Sequence, residues 1–157
     1  MRTFHREGDL GRTGRAVSAD DGRTAAQAAT SLQRIPTDPV DVVTTEEGKR
    51  ELVPMRWGLI PRWWSKTIKD AKMATFNARA ETIETKPYFR DAFKRTRCLI
   101  PMSGYYEWQD TPGGKQPWYF TARDGSPLLT AAGLCDEWKN RETGERPESC
   151  TMIITAS

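Results

Sequence analysis

Two regimes of hydrophobic patterning divide the chain near residue 36. Between Arg2 and Arg34 the large apolar side chains are Phe4, Leu10, Val17 and Leu32, set among Ala, Thr, Gly, Asp and six Arg, and neither a helical nor a strand period persists. From Pro39 onward, short apolar runs alternate with turn residues. Asp41–Thr45 reads as a strand, Glu46–Lys49 as a turn and Glu51–Ile60 as the returning strand, together a hairpin. Pro61–Trp64 opens a loop. Thr75–Glu81 precedes a short helix in which Pro87 sits early and Tyr88, Phe89, Ala92 and Phe93 form an apolar stripe. Leu99–Trp108 returns as strand, and Gln109–Lys115, with Pro112, Gly113 and Gly114, turns the chain into Trp118–Ala122. Asp124–Gly125 turns again into Leu128–Leu134, Asn140–Pro147 is a polar loop, and Ser149–Thr155 is a last strand. Many short strands with one helix predict an α+β fold, mainly antiparallel, with a partly closed sheet.

Length adds that 157 residues, 37% hydrophobic, can bury one domain's core and would be crowded as two. With no apolar stretch of about 18 residues and no signal peptide, neither membrane insertion nor secretion is indicated, and a cytoplasmic protein is expected. Cys98, Cys135 and Cys150 are odd in number and lack CxxC spacing, which argues against a disulfide framework and a zinc site. They read as small core residues, and no cofactor or metal is expected.

Charge changes the picture more. The chain carries only +3, yet Lys49–Arg97 holds 13 basic residues against 5 acidic ones, so that +8 in this stretch is set against −5 elsewhere. The stretch also contains Trp57, Trp63 and Trp64. Cations interleaved with rings suit single-stranded nucleic acid, phosphates on the cations and bases on the rings; an ordinary solvated face is the alternative. The run Arg97–Trp108 reads as a strand that breaks at Gly104 and delivers Glu107 among Tyr105, Tyr106 and Trp108. Desolvated there, Glu107 would be a proton carrier; left at a strand end in water, it would be an ordinary surface carboxylate.

Several spaced motifs, in order, resemble one family. Trp57-Gly58-Leu59-Ile60-Pro61 with Trp63-Trp64, Asn77-Ala78-Arg79 with Glu81, Arg97-Cys98-Leu99-Ile100-Pro101 with Gly104-Tyr105-Tyr106-Glu107-Trp108, Lys115-Gln116-Pro117 and Ala131-Ala132-Gly133-Leu134 are similar to the SOS response-associated peptidase family, the abasic-site processing proteins. The resemblance covers roughly residues 36 to 157. It implies a barrel-like β core with flanking short helices and a shallow positive groove that holds single-stranded DNA at an abasic site. A monomer in the nucleoid-associated cytoplasm is expected.

The resemblance also implies a chemistry. A cysteine exposed by removal of the initiating Met attacks the aldehyde of a ring-opened abasic sugar through its α-amine, whose ordinary pKa is near 8, and its thiol then closes a thiazolidine. A carboxylate shuttles protons, an asparagine orients the adduct and a later histidine assists ring opening. By motif position Asn77 matches the asparagine and Glu107 the carboxylate; Arg79 and Trp108 would contact DNA, and Trp63 and Trp64 would wedge or stack where the strand bends. The family name implies a peptidase role, self-processing at Met1, but no Ser/His/Asp or Cys/His arrangement here supports general proteolysis. A Cys98–His5 pair is disfavoured, because Cys98 lies in an apolar strand.

Two departures matter. Position 2 is Arg2, and the one histidine is His5, so the aminothiol and the later imidazole are both missing. Cross-linking is expected to be lost, leaving a noncovalent single-strand binder or a truncated product without function. Codons for Arg2–Arg6 can be chosen so that another frame reads Cys-Gly-Arg-Phe-Thr, and the following codons so that it reads a leucine-rich helical pattern. The expectation is that residues 1–35 are a non-native, out-of-frame or disordered segment, that 36–157 is a partial abasic-site processing domain, and that the stop after Ser157 is a similar lesion. DNA sequencing across both ends of the gene should find the shifted frame open and family-like. Stop codons or unrelated residues in that frame would end the idea.

Overall fold

The structure is a computed structural model and describes residues 34–71 and 73–155. Arg2, His5 and the segment expected to be out of frame lie outside the described residues, apart from Arg34 and Ile35. Eight strands carry the fold: β1 (Pro39–Glu46), β2 (Lys49–Trp57), β3 (Asn77–Arg79), β4 (Arg97–Met102), β5 (Tyr105–Thr111), β6 (Gly114–Phe120), β7 (Leu129–Glu137) and β8 (Glu148–Ile154). The first hairpin forms as expected. Glu46 pairs with Lys49, and Glu47 and Gly48 both take positive φ (49° and 79°), the two-residue turn whose twist matches the strands it joins.

The sheet closes on itself. β1 pairs antiparallel with β2 and β4, β4 with β7, and β7 with β8, while β8 runs parallel to β2 through Arg56–Ser149 and Trp57–Cys150. Beyond that point β2 peels off at Gly58 (φ 128°), and β3 takes its place along β8 from Asn77–Met152 to Arg79–Ile154, again parallel. The expected barrel-like core is therefore present, but its sheet is mixed. Parallel pairing is fixed by which distant strands meet, and no local pattern announces it.

Helix is scarce. The expected stripe contracts to α1 (Arg90–Arg95) with Phe89 at its N-cap, while Lys86 to Phe89 lie in turns; the segment after β2 holds one 3-10 turn, Ile68–Asp70. Ala92 is buried, and Phe89 and Phe93 pack partly buried against Leu59, Ala78, Ile83 and Leu134 outside the barrel. Two strand expectations also shift. Leu99–Trp108 splits at Ser103–Gly104 into β4 of the barrel and β5 of a separate two-stranded sheet. The hairpin β5–β6 extends to Thr111–Gly114, because Thr111 Oγ1 donates to the Gly114 carbonyl (2.6 Å) and Gly114 takes φ 111°, so Pro112–Gly113 alone makes the turn.

Inside the barrel, Val42, Met55, Cys98, Ile100, Cys135 and Cys150 form the core. Gly133 admits it: a Cβ there would lie 2.9 Å from both Ile100 Cδ1 and the Thr151 carbonyl oxygen and 3.0 Å from Cys98 Sγ. All three cysteines are buried and free, as expected of core residues. The hydrogen bond with Cys135, followed by burial, pushes the Cys98 thiol up, and burial pushes Cys150 up to about 12.

An ion pair ties the Trp63–Trp64 loop to the barrel. Asp136 on β7 is buried; its Oδ1 accepts from Arg62 Nε (2.9 Å) and Nη2 (2.7 Å), and its Oδ2 from the Arg62 backbone N–H (2.9 Å). Hydrogen bonding from Asp136 holds the Arg62 guanidinium above its ordinary pKa. Beside it, Ser149 Oγ accepts the Ile60 N–H (2.8 Å), and Trp138 Nε1 donates to the Trp64 carbonyl (2.6 Å).

Removing Asp136 strands a guanidinium and a backbone donor, so Asp136→Ala should cost about 2–4 kcal/mol in urea unfolding and alter the tryptophan emission of the loop. A thiol whose folded pKa is raised favours folding below its unfolded value near 9 and loses that contribution as pH rises through about 12. Stability should fall over pH 9–12, and Cys150→Ala, weaker at pH 7, should decline less steeply. Equal slopes would contradict this.

Candidate nucleic-acid interface

Strand alternation sorts the β3 side chains. Ala78 is buried against Leu59 and Leu134, so Asn77 and Arg79 project from the opposite face, shared with Met152 and Ile154 across the ladder. Asn77 stands where β8 changes partner from β2 to β3. Around it, Trp57 Nε1 donates to the Phe76 carbonyl (2.8 Å), the Met152 N–H to the same oxygen (3.0 Å), and the Gly58 N–H to the Cys150 carbonyl (2.8 Å). The Asn77 Oδ1 is buried with no hydrogen-bond partner among the described residues, as is Thr151 Oγ1 on the adjoining β8. A buried acceptor left so costs about 1–3 kcal/mol, which a ligand hydroxyl or N–H would recover. Arg79 is exposed at the end of the same strand. Nearby, burial lowers the pKa of the Arg56 guanidinium, which donates to the Gly58 carbonyl.

Trp63 and Trp64 lie together, ring centroids 6.1 Å apart, and Tyr88 joins both at 5.3 and 5.9 Å. The two rings differ. Trp64 is half-buried, with its Nε1 donating to the Thr67 carbonyl (3.0 Å); Trp63 is 43% exposed. Tyr88 was expected on the helix stripe, and its role here was missed; the signal available was its place next to Pro87, ahead of the helix proper. Burial raises its pKa.

On the β5–β6 hairpin Glu107 is the surface carboxylate of the two readings, not the desolvated one. All residues of both strands are exposed, so no desolvated pocket surrounds the carboxylate. Glu107 faces Trp118 across the ladder, on the face where Tyr105 stacks on Phe120 (5.3 Å, 13°) and Trp118 Nε1 donates to Gln109 Oε1 (3.0 Å). Trp108 lies on the other face, opposite Pro117 and beside the Tyr106–Tyr119 pair (4.8 Å). Neighbours along a strand cannot share a face, so Glu107 and Trp108 project from opposite sides of the hairpin. No hydrogen bond links Glu107 to Asn77 among the described residues. The rings of Trp118, Tyr119 and Phe120 were passed over as an ordinary strand; their run of three exposed aromatics was the signal.

Among the described residues no group of His, Cys, Asp and Glu is arranged to hold a metal ion, and no helix is long and apolar enough to cross a membrane. Cys98 is a core residue, and its proposed partner His5 lies outside the described residues.

A family model described as "SOS response associated peptidase (SRAP)" matches residues 5–157. The abasic site processing protein YoqW of Bacillus subtilis (strain 168) is 36% identical over 123 residues, covering 76% of this chain and 52% of that protein. The abasic site processing protein HMCES of Xenopus tropicalis is 35% identical over 131 residues, covering 71% of this chain and 39% of that protein. The crystal structure of a protein from Bordetella bronchiseptica superposes with a TM-score of 0.68 at 32% identity, covering 78% of this chain and 59% of that one. One from Bacteroides thetaiotaomicron gives 0.67 at 34% identity, covering 76% and 50%. The chain thus spans about half or less of the length of these curated relatives. Together with the closed mixed barrel and the ordered motifs on it, these matches mean that the chain belongs to the SOS response associated peptidase family.

Proposed function

We propose that this chain binds single-stranded DNA at abasic sites noncovalently. The observation that carries the reading is the buried, unanswered Asn77 Oδ1 on the same β3 face as the exposed Arg79. A deoxyribose that has lost its base presents hydroxyl donors, and its flanking phosphates present charge; Asn77 takes the first and Arg79 the second. Trp63 stacks on a neighbouring base, with Trp64 and Tyr88 as its support, and Trp108 supplies a further ring from the hairpin. Glu107, exposed opposite Trp118, is assigned no proton-transfer step in this noncovalent reading. The relatives named for abasic-site processing support the substrate class. Position 2 of the sequence is Arg2, which supplies no thiol for a thiazolidine, so the reading is one of noncovalent binding.

Fluorescence anisotropy with an abasic single-stranded oligonucleotide tests this. Affinity should fall steeply with salt, Arg79→Ala should lower the log–log salt slope by about 0.7, and Trp63→Ala should cost about 1–3 kcal/mol. Affinity indifferent to salt, or an adduct surviving a denaturing gel, would contradict the proposal.

A further inference from the structure

Between the segment following β2 and the loop joining β7 to β8 lies a cleft of about 230 Å³. Apart from Trp64, none of its residues has been given a role above in contacting DNA. Its two walls are joined by the hydrogen bond from Trp138 Nε1 to the Trp64 carbonyl (2.6 Å), and Trp138 itself is buried. Lys66 lines one wall; Lys139 and Arg141 line the other. The turn carrying Lys139 and Arg141 is held by Asn140 Oδ1, which accepts the N–H groups of Glu142 (3.0 Å) and Thr143 (3.4 Å).

The charges around this cleft are unbalanced. Of its two carboxylates, Asp70 accepts from Thr67 Oγ1 (2.8 Å) and the Thr67 N–H (3.3 Å), and Glu142 is the other. The nearby carboxylates of β7 are already engaged, Asp136 by Arg62 and Glu137 by Arg146. No ion pair is formed by Lys66, Lys139 or Arg141 among the described residues. Three cations against two carboxylates leave the cleft one positive charge in excess, which matches the single negative charge of one phosphodiester. The cleft shares Trp64 with the Trp63–Trp64–Tyr88 cluster, so an anion there would sit one side chain away from a base stacked on Trp63.

We propose that this cleft is a phosphodiester subsite, which seats a backbone phosphate of the same single strand whose base stacks on Trp63, with Lys66, Lys139 and Arg141 as its ligands. It rests on the single-strand reading above and extends it across the β7–β8 loop. Trp138 is a positioning residue, because it fixes the spacing of the two walls.

The test uses the full chain, a fluorescent abasic single-stranded oligonucleotide and a series of salt concentrations. The double variant Lys139→Ala/Arg141→Ala should bind about tenfold more weakly at low salt, with a log–log salt slope reduced by about 0.7 to 1.4. Its thermal midpoint should stay unchanged, since both side chains are exposed. The control Lys94→Ala/Arg95→Ala removes equal charge from exposed α1 positions and should change affinity much less. Glu142→Gln should tighten binding. Equal losses in the two double variants would mean general charge attraction and overturn the subsite. Unchanged affinity and slope in the cleft variant, while Trp63→Ala still weakens binding, would overturn the subsite alone. No binding by the unmodified chain would overturn the single-strand reading, and the subsite with it.

Discussion

One strand edge governs the rest of this molecule. β8 has β7 on one side and must fill the other along its length, because unpaired peptide groups beside a packed core are costly. It does so with two partners in succession, β2 and then β3, and the handover requires β2 to leave at Gly58. The first pairing closes the barrel. The second places Asn77 at the join, where its Oδ1, like Thr151 Oγ1 on β8, is buried without a hydrogen-bond partner among the described residues. The closure that encloses the core thus also creates the best-defined polar position of the interface.

After β2 departs, Leu59 is buried and Ile60 is bonded to Ser149, and Arg62 with Asp136 carries the anchoring on toward the tryptophans. A carboxylate buried on β7 demands a counter-charge and donors, and Arg62 supplies both through its side chain and its backbone N–H. The tryptophan pair comes immediately after this anchor, with Trp138 gripping the Trp64 carbonyl from the same strand's continuation. Exposure at Trp63 is therefore not slackness; a ring set against Trp64 and Tyr88 on an anchored loop keeps little conformational freedom.

Much of this was legible in residue order. Glu46–Lys49 announced its turn, the three cysteines announced a core, and the paired tryptophans with Asn77 and Arg79 carried the family pattern. What was not legible depends on contacts distant in sequence. The run from Leu99 to Trp108 has one strand-like composition, yet β4 continues a barrel while β5 pairs only with β6, and nothing in Tyr105-Tyr106-Glu107-Trp108 states that no third layer covers it. Rings adjacent to Glu107 in sequence suggested burial; the strand pleat instead splits them between two wet faces. The parallel entries of β2 and β3, and the engagement of Arg62 with a residue 74 positions away, have no local signature at all.

The bond between barrel and hairpin is narrow. It passes through Gly104, over which the Tyr119 ring lies 2.6 Å from where a Cβ would be, and through the Ser103–Tyr119 hydroxyl contact (3.1 Å). A Cβ there would also lie 2.4 Å from the Phe120 carbonyl oxygen, and backbone cannot turn aside as a flexible side chain can, so even a methyl group at position 104 would force β5 and β6 apart at the foot of the hairpin.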